Sequence, residues 1–184
     1  MVDRTKSEPF FVATPIVLVD EGKWQMWYAS ATGFLEIKGR IEPVYQIKYA
    51  ESKDGRDWER PNVTCLEYET EGEANARPAV VKEGGKYRMW YCWRGSTEFR
   101  TDKAQSYRIG YAESADGVTW NRMDNAVGIE RAESGWDSSM MAYPFVYKHR
   151  GVRHMLYCGN GFGESGFGYA RLVENDRAGA VTGS

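Results

Sequence analysis

Arg77, Arg94, Asn160 and Tyr143 stand beside short apolar runs at matching points of the chain, and each is a residue type that binds polar ligands. A guanidinium offers a rigid two-pronged donor to a carboxylate, a phosphate or a sugar diol. It serves equally well as a structural bond to backbone carbonyls or to an acid such as Glu73. Asn160, between Gly159 and Gly161, can hold a hydroxyl group or simply close a turn. Asn75, Trp93 and Trp136 neighbour these four, and the same loops carry the carboxyl groups Glu8, Glu73 and Asp137 together with Ser138. Glu73 reads either as part of a solvated acidic loop with Glu67, Glu69 and Glu71 or as a group that handles a proton. Asp137, in Gly135-Trp136-Asp137-Ser138, can equally cap a turn. Other chemistries find few residues to carry them. The only histidines, His149 and His154, share one hairpin, which argues against a histidine metal cluster or a triad. Gly159–Gly168 contains Gly-x-Gly, but strands flank it and no helix N-terminus follows to hold a phosphate. No metal or cofactor is expected.

A repeat must position these residues. Tyr45–Arg60 (YQIKYAESKDGRDWER) returns as Tyr107–Arg122 (YRIGYAESADGVTWNR), and Pro15–Tyr28 (PIVLVDEGKWQMWY) matches Pro78–Tyr91 (PAVVKEGGKYRMWY). Pro144–Tyr157 (PFVYKHRGVRHMLY) is a looser third copy. Met26, Met89 and Met155 mark one point in each unit, with spacings of 63 and 66 residues (89 − 26 and 155 − 89). A fixed period of this kind signals a repeat architecture. Within each unit a β-branched run, a Gly-bearing turn and an alternating run of large residues spell a hairpin. Gln46–Ala50, Arg108–Ala112 and Phe167–Ala170 are third strands. Asp54-Gly55 and Asp116-Gly117 then turn the chain into brief fourth strands around Trp58 and Trp120. The third unit lacks that ending, and no segment reads convincingly as a helix.

Antiparallel four-stranded units repeated at blade-like length predict an all-β fold, a β-propeller of which about three blades are present. A sandwich or barrel does not predict such self-similarity. The phrase Pro-x-x-x-x-x-x-Gly-x-Tyr/Trp-x-Met-Trp-Tyr resembles the inner-strand hairpin of five-bladed propeller glycosidases, glycoside hydrolase families 43, 32 and 130 among them. The stretch from Arg77-Pro78 through Tyr87-Arg88-Met89-Trp90-Tyr91 to Arg108-Ile109-Gly110-Tyr111-Ala112-Glu113-Ser114 is similar to an uncharacterised branch of that group. The resemblance runs from about Pro15 to Arg171. Ser52-Lys53-Asp54-Gly55-Arg56-Asp57-Trp58 and Ser114-Ala115-Asp116-Gly117-Val118-Thr119-Trp120 also look like the Asp-box of sialidases. That box is a structural turn at the outer rim, so it speaks for the fold and not for sialidase activity.

In a propeller the innermost strands line a channel, and the resemblance implies substrate where those strands begin. They begin near Thr14, Arg77 and Tyr143. The second strands return to the same face at Ala31–Gly33, Trp93–Gly95 and Gly159–Gly161. Arg77, Arg94, Asn160 and Tyr143 are therefore expected at one mouth, with Asn75, Trp93 and Trp136 beside them holding a sugar. Glycosidic cleavage uses two flanking carboxyl groups, and the resemblance implies Glu73 and Asp137 as acid and base. The similar hydrolases place an Asp immediately before the strand-one Pro; here that slot holds Thr14, Arg77 and Tyr143. The leading expectation is a glycosidase acting on a sugar or polysaccharide. The alternative is a non-catalytic glycan-binding or oligomeric assembly module.

Composition bounds the remaining classes. A formal charge of −2 and a pI near 5.8 argue against a nucleic-acid partner. No apolar run is long enough to cross a membrane, and the N-terminus lacks the apolar core of a secretion signal. Cys65, Cys92 and Cys158 have no CxxC spacing; Cys92 and Cys158 hold the repeat position of Ala29, which suits small buried residues and a reducing, cytoplasmic setting. One domain is expected over residues 1–172, with units at about 10–68, 73–122 and 137–172 and a disordered or vector-derived tail at 173–184. Closed propellers usually have at least four blades. Either the chain is part of a longer ancestral ring, or its copies associate, a dimer being simplest.

Overall fold

The computed structural model describes residues 2–95 and 98–173, so the expected tail lies outside the described residues apart from Val173. Strands β1 (Val12–Asp20), β2 (Lys23–Ile37), β3 (Arg40–Ser52) and β4 (Trp58–Glu59) form one antiparallel sheet in chain order. A second contains β5 (Ala74–Glu83), β6 (Lys86–Arg94), β7 (Arg108–Ser114) and β8 (Asn121–Arg122). The third has three strands, β9 (Ala142–His149), β10 (Val152–Cys158) and β11 (Phe167–Arg171). The fold is the all-β, partial propeller that the repeat predicts.

The period-two alternation of β2 and its counterparts decides how the sheets stack. Trp27, Ile47 and Tyr49 of the first sheet meet Val80, Met89 and Tyr91 of the second. Trp90, Ile109 and Tyr111 leave the other face of the second sheet and meet Val146, Met155 and Tyr157 of the third. Repeat-equivalent tryptophans thus look forward and repeat-equivalent methionines look back. Replacing the wholly enclosed Trp27 by Ala would cost about 3–5 kcal/mol. The innermost strands β1, β5 and β9 lie next to one another, which makes the stack a fan.

The Asp-Gly turns brace this fan. Ser52 Oγ accepts the N–H groups of Asp54 and Gly55 at 3.2 and 2.9 Å, and Asp54 Oδ1 accepts those of Arg56 and Asp57 at 2.9 and 3.0 Å. Ser114 and Asp116 repeat the pattern bond for bond. Gly117 adopts a φ of 77°, open to glycine at little cost. Its carbonyl accepts from Trp27 Nε1 of the first sheet at 2.7 Å, so one sheet's turn is a socket for its neighbour.

The first hairpin is longer than the sequence suggests. β2 and β3 continue past Ala29 and before Gln46 to a Lys38-Gly39 turn with φ values of 48° and 76°. This ribbon reaches the second sheet, where Arg100 grips Glu42 with two bonds of 2.8 and 3.1 Å. The helical content of the described residues is slight: a 3-10 turn at Asp124–Ala126 and one turn at Asn160–Gly163, in which Gly161 and Phe162 are left-handed. No helix among them is long and apolar enough to cross a membrane.

Candidate functional site

Pairing between the innermost strand and its neighbour slips at the same place in every sheet. Thr14-Pro15 faces the single residue Tyr28, Arg77-Pro78 faces Tyr91, and Tyr143-Pro144 faces Tyr157. Proline has no N–H to give to a ladder, and a bulge absorbs the loss. The residue before each proline carries the distortion, with φ values of 51°, 54° and 57° at Thr14, Arg77 and Tyr143. Left-handed backbone is costly for any residue with a Cβ, most of all for a β-branched threonine. Such strain costs about 1–3 kcal/mol per residue and persists where the surroundings enforce it.

The three strained residues share one cleft of 420 Å³, with Phe145, Tyr157 and Phe167 also on its wall. Arg77 is exposed, and its guanidinium lies 6.0 Å from the centre of the Tyr143 ring. Tyr143 stacks on Phe162 at 6.0 Å, and Phe162 meets the edge of Tyr107 at 5.5 Å. The Tyr107 hydroxyl in turn touches that of Tyr45. Burial raises the proton affinity of Tyr143, so its phenol stays neutral at physiological pH. Donors beside aromatic faces in a concave site are the usual makings of a small-molecule pocket.

The carboxyl groups are arranged differently. Each tyrosine opposite a bulge donates its hydroxyl to an acid: Tyr28 to the buried Glu8 at 3.0 Å, Tyr91 to the half-buried Asp124 at 2.6 Å and Tyr157 to the buried Asp137 at 2.9 Å. Arg60 and Arg122, equivalent in the repeat, hold Glu8 and Asp124 from the other side at 3.1 and 2.8 Å. Burial and the neighbouring carboxylate push the Tyr157 phenol up to about 12. Glu73 is fully enclosed, not solvated with its acidic neighbours as one sequence reading had it. It accepts from Arg122 Nη1 at 2.6 Å and from the Glu69 N–H at 3.2 Å. Burial lifts its carboxyl above the ordinary value of 4.5, with Arg122 drawing it back. Among the described residues, no acid lines the cleft that holds Arg77 and Tyr143.

The other sequence-selected residues hold the frame. Arg94 is 1% exposed; it donates to the carbonyls of Pro43 and Gly95 at 2.6 and 2.9 Å and lies 4.0 Å from the Phe99 ring centre. It anchors the long ribbon. Asn75 accepts the Ile47 N–H at 3.0 Å, tying β5 to β3. Asn160 accepts from the N–H groups of Ser139 and Met140 at 2.8 and 3.0 Å and donates to Gly135 at 2.9 Å. It is the turn former of the two sequence readings, and it shapes the loop that carries Asp137. Trp136 lies over Gly159 and Gly168, where an added Cβ would stand 2.4 and 2.0 Å from its atoms. Trp93 sits between the guanidiniums of Arg108 and Arg122, 4.6 and 5.0 Å from its centre. Sequence reading missed Phe162 and the bulge tyrosines. A signal for the latter exists: Tyr28, Tyr91 and Tyr157 each follow a strand-one proline by 13 residues (28 − 15, 91 − 78, 157 − 144).

No protein-family model matches the chain. Two uncharacterised proteins, from two strains of Mycobacterium tuberculosis, are 41% identical to it over 176 residues, covering 95% of this chain and 55% of theirs. The chain therefore spans about half the length of the curated relatives it matches. Among solved structures, a glycoside hydrolase aligns with a TM-score of 0.67 at 21% identity, over 92% of this chain and 47% of its own. A thermostable family-43 glycoside hydrolase aligns with a TM-score of 0.68 at 17% identity, over 90% and 55% of the two chains. A family 117 glycoside hydrolase of the marine bacterium Zobellia galactanivorans gives 0.67 at 17% identity, over 85% and 50%. The chain shares its fold with the propeller glycosidases, as a portion about half the size of theirs.

Proposed function

We propose that this chain supplies a carbohydrate-binding face of a glycosidase-type propeller, with the sugar seated in the cleft of Thr14, Arg77 and Tyr143. The observation that carries this reading is the convergence of three strained residues, one from each innermost strand, on a single concavity. Strain retained at three equivalent points aims side chains rather than filling a core. Arg77 presents donors to vicinal hydroxyls, while Tyr143 and Phe167 offer flat faces to a pyranose ring. The shared fold with glycosidases supports a sugar as the ligand class, although fold alone does not determine activity. In this reading Glu73 and Asp137 fix the loops that enter β5 and β9.

A second reading keeps hydrolysis, with Glu73 or Asp137 as acid or base. Burial moves the Glu73 carboxyl in the direction a general acid needs, with the Arg122 ion pair acting against it. A glycan array run beside a panel of aryl glycosides separates the two. Binding that is lost in Arg77→Ala, without release of aglycone, selects the binding face. Turnover that vanishes in Glu73→Gln or Asp137→Asn selects the hydrolase. A ligand held equally well by wild type and Arg77→Ala would remove the cleft from consideration.

The outer face of the third sheet supports association with a second copy. Phe145, Phe167 and Tyr169 are 50, 72 and 56% exposed there. An apolar face of this kind is normally covered. We propose a homodimer that buries the part of this face around Tyr169 and leaves Phe145 and Phe167 to the sugar cleft; a monomer by light scattering at micromolar concentration rejects that.

A further inference from the structure

A second cleft, of 450 Å³, opens between the start of β7 and the connection that leads to β9, with Trp93, Arg108, Arg131 and Ser138 on its wall. Its two arginines are tethered side by side. Arg108 Nη2 donates to the carbonyl of Ala104, and Arg131 Nη1 to the carbonyl of the adjacent residue, Lys103. Arg131 also bonds Ser139 O at 3.1 Å. Neither makes an ion pair among the described residues, whereas Arg60, Arg100, Arg122 and Arg153 each do. Two acids reach the same wall, Asp124 and Glu130, and neither forms an ion pair with either arginine among the described residues. Asp124 is already occupied by Arg122, the Tyr91 hydroxyl and the Tyr111 N–H. Glu130 is exposed at the rim and joins no ion pair among the described residues.

Holding two partly desolvated cations together without a counter-charge is unfavourable, and an anion between them reverses the sign of the interaction. Burial and the proximity of Arg131 act against the Arg108 charge, and the nearby acids Asp124, Asp102 and Glu73 offset them only in part. Among the described residues, two further buried donors have no acceptor: Arg108 Nε and Trp93 Nε1. The Arg108 guanidinium lies over the Trp93 ring, 4.6 Å from its centre, which limits its freedom. Neutral sugar hydroxyls have no need of such a charge excess. A planar or tetrahedral oxyanion does, and a pair of guanidiniums is suited to grip one.

We propose that this cleft is an oxyanion site, in which Arg108 and Arg131 clamp a carboxylate or phosphoryl group of a small ligand against Trp93. The proposal stands independently of the sugar cleft, because none of its residues lines that cleft. Two sources share the chemistry: the carboxylate of an acidic sugar, and free or esterified phosphate.

The test uses the full chain and two probes, glucuronate and inorganic phosphate, each titrated by calorimetry at constant ionic strength in chloride. Saturable binding is expected for at least one probe. Arg108→Met and Arg131→Met should each weaken it about ten-fold or more, the usual loss for one charge-assisted pair of bonds. Lys6→Met, which removes one exposed charge elsewhere, should leave the affinity unchanged. Binding of glucuronate alone assigns an acidic sugar, and binding of phosphate alone or with equal strength assigns the phosphoryl group; either supports the site. No binding of either probe overturns it, as does affinity equal in wild type and Arg131→Met. Arg108 packs against Trp93, so should Arg108→Met fail to fold, Arg131→Met carries the decision.

Discussion

Arg77→Gly should make the protein more stable than Arg77→Ala, the reverse of what a strand position normally shows. The argument rests on a φ of 54° at Arg77. Left-handed backbone costs a residue with a Cβ about 1–2 kcal/mol. Glycine escapes that cost but loses about 0.5–1 kcal/mol more in backbone entropy than alanine. The side chain itself contributes little, since Arg77 is exposed and its one ring contact is at 6.0 Å. Alanine keeps the strain and should be close to neutral. Glycine should gain roughly 0.5–1 kcal/mol over alanine, which for a chain of this size is about 1–4 °C in Tm. Val17, exposed in the regular part of β1, is the internal control. There glycine should fall below alanine by about 0.5–1 kcal/mol. Thermal and urea unfolding followed by circular dichroism measure both pairs. Should Arg77→Ala match or exceed Arg77→Gly, the strain is not real and the cleft loses the observation that defines it.

The Asp-Gly turns predict an acid limb. Backbone N–H groups of Thr119 and Val118 hold the Asp116 carboxyl below its ordinary value of 3.8. A folded-state value below the unfolded one adds stability that is present above the unfolded value and lost as pH falls through the folded one. The stability advantage of wild type over Asp116→Asn should therefore be full at pH 7 and shrink below about pH 4, as read by urea midpoints at each pH. Asn160→Ala should cost about 1–3 kcal/mol by freeing the N–H groups of Ser139 and Met140, and Asn160→Asp, which keeps the acceptor, should cost less in the same unfolding assay. Gly168→Ala should displace the Trp136 ring, which stands 2.0 Å from the new Cβ, at about 1–3 kcal/mol and with a red-shifted tryptophan emission.

The architecture was legible because it is written three times. Local turn chemistry at Asp54-Gly55 and Asp116-Gly117, the Gly-bearing hairpin turns and the alternation around Met26, Met89 and Met155 all pointed to one stack. The long ribbon of β2 and β3 was not legible. Its outer half lacks a copy in the other units, and its exposed Phe34 and Ile41 break the alternation of a buried strand. The candidate cleft was legible in part. Arg77 and Tyr143 were singled out because both precede a strand-one proline, and the bulge in every sheet falls at that pair. Arg94, Asn75 and Asn160 sit at the same end of their strands, yet their bonds are to Pro43, Ile47 and Ser139. Those partners belong to segments distant in sequence, and spacing within a repeat carries no information about them.

The acids pose the sharper physical question. A carboxyl before a strand-one proline would have shared the strained cleft; here the carboxyls lie one layer back, each capped by a tyrosine hydroxyl. Moving an ionised group into such a seam is tolerable only when donors meet it. Glu8 has Tyr28 and Arg60, and Asp124 has Tyr91 and Arg122. Asp137 has only Tyr157 among side-chain donors. It is the seam acid with no arginine, and it borders the cleft through that tyrosine, which lines the wall. Among the described residues, Tyr157 is the cleft-lining residue with a hydrogen bond to a carboxyl group. If hydrolysis in this chain runs through Asp137, Tyr157 links it to the cleft, and Tyr157→Phe would abolish turnover while sparing the ligand affinity set by Arg77. Turnover that survives Tyr157→Phe would leave the seam acids a purely structural role.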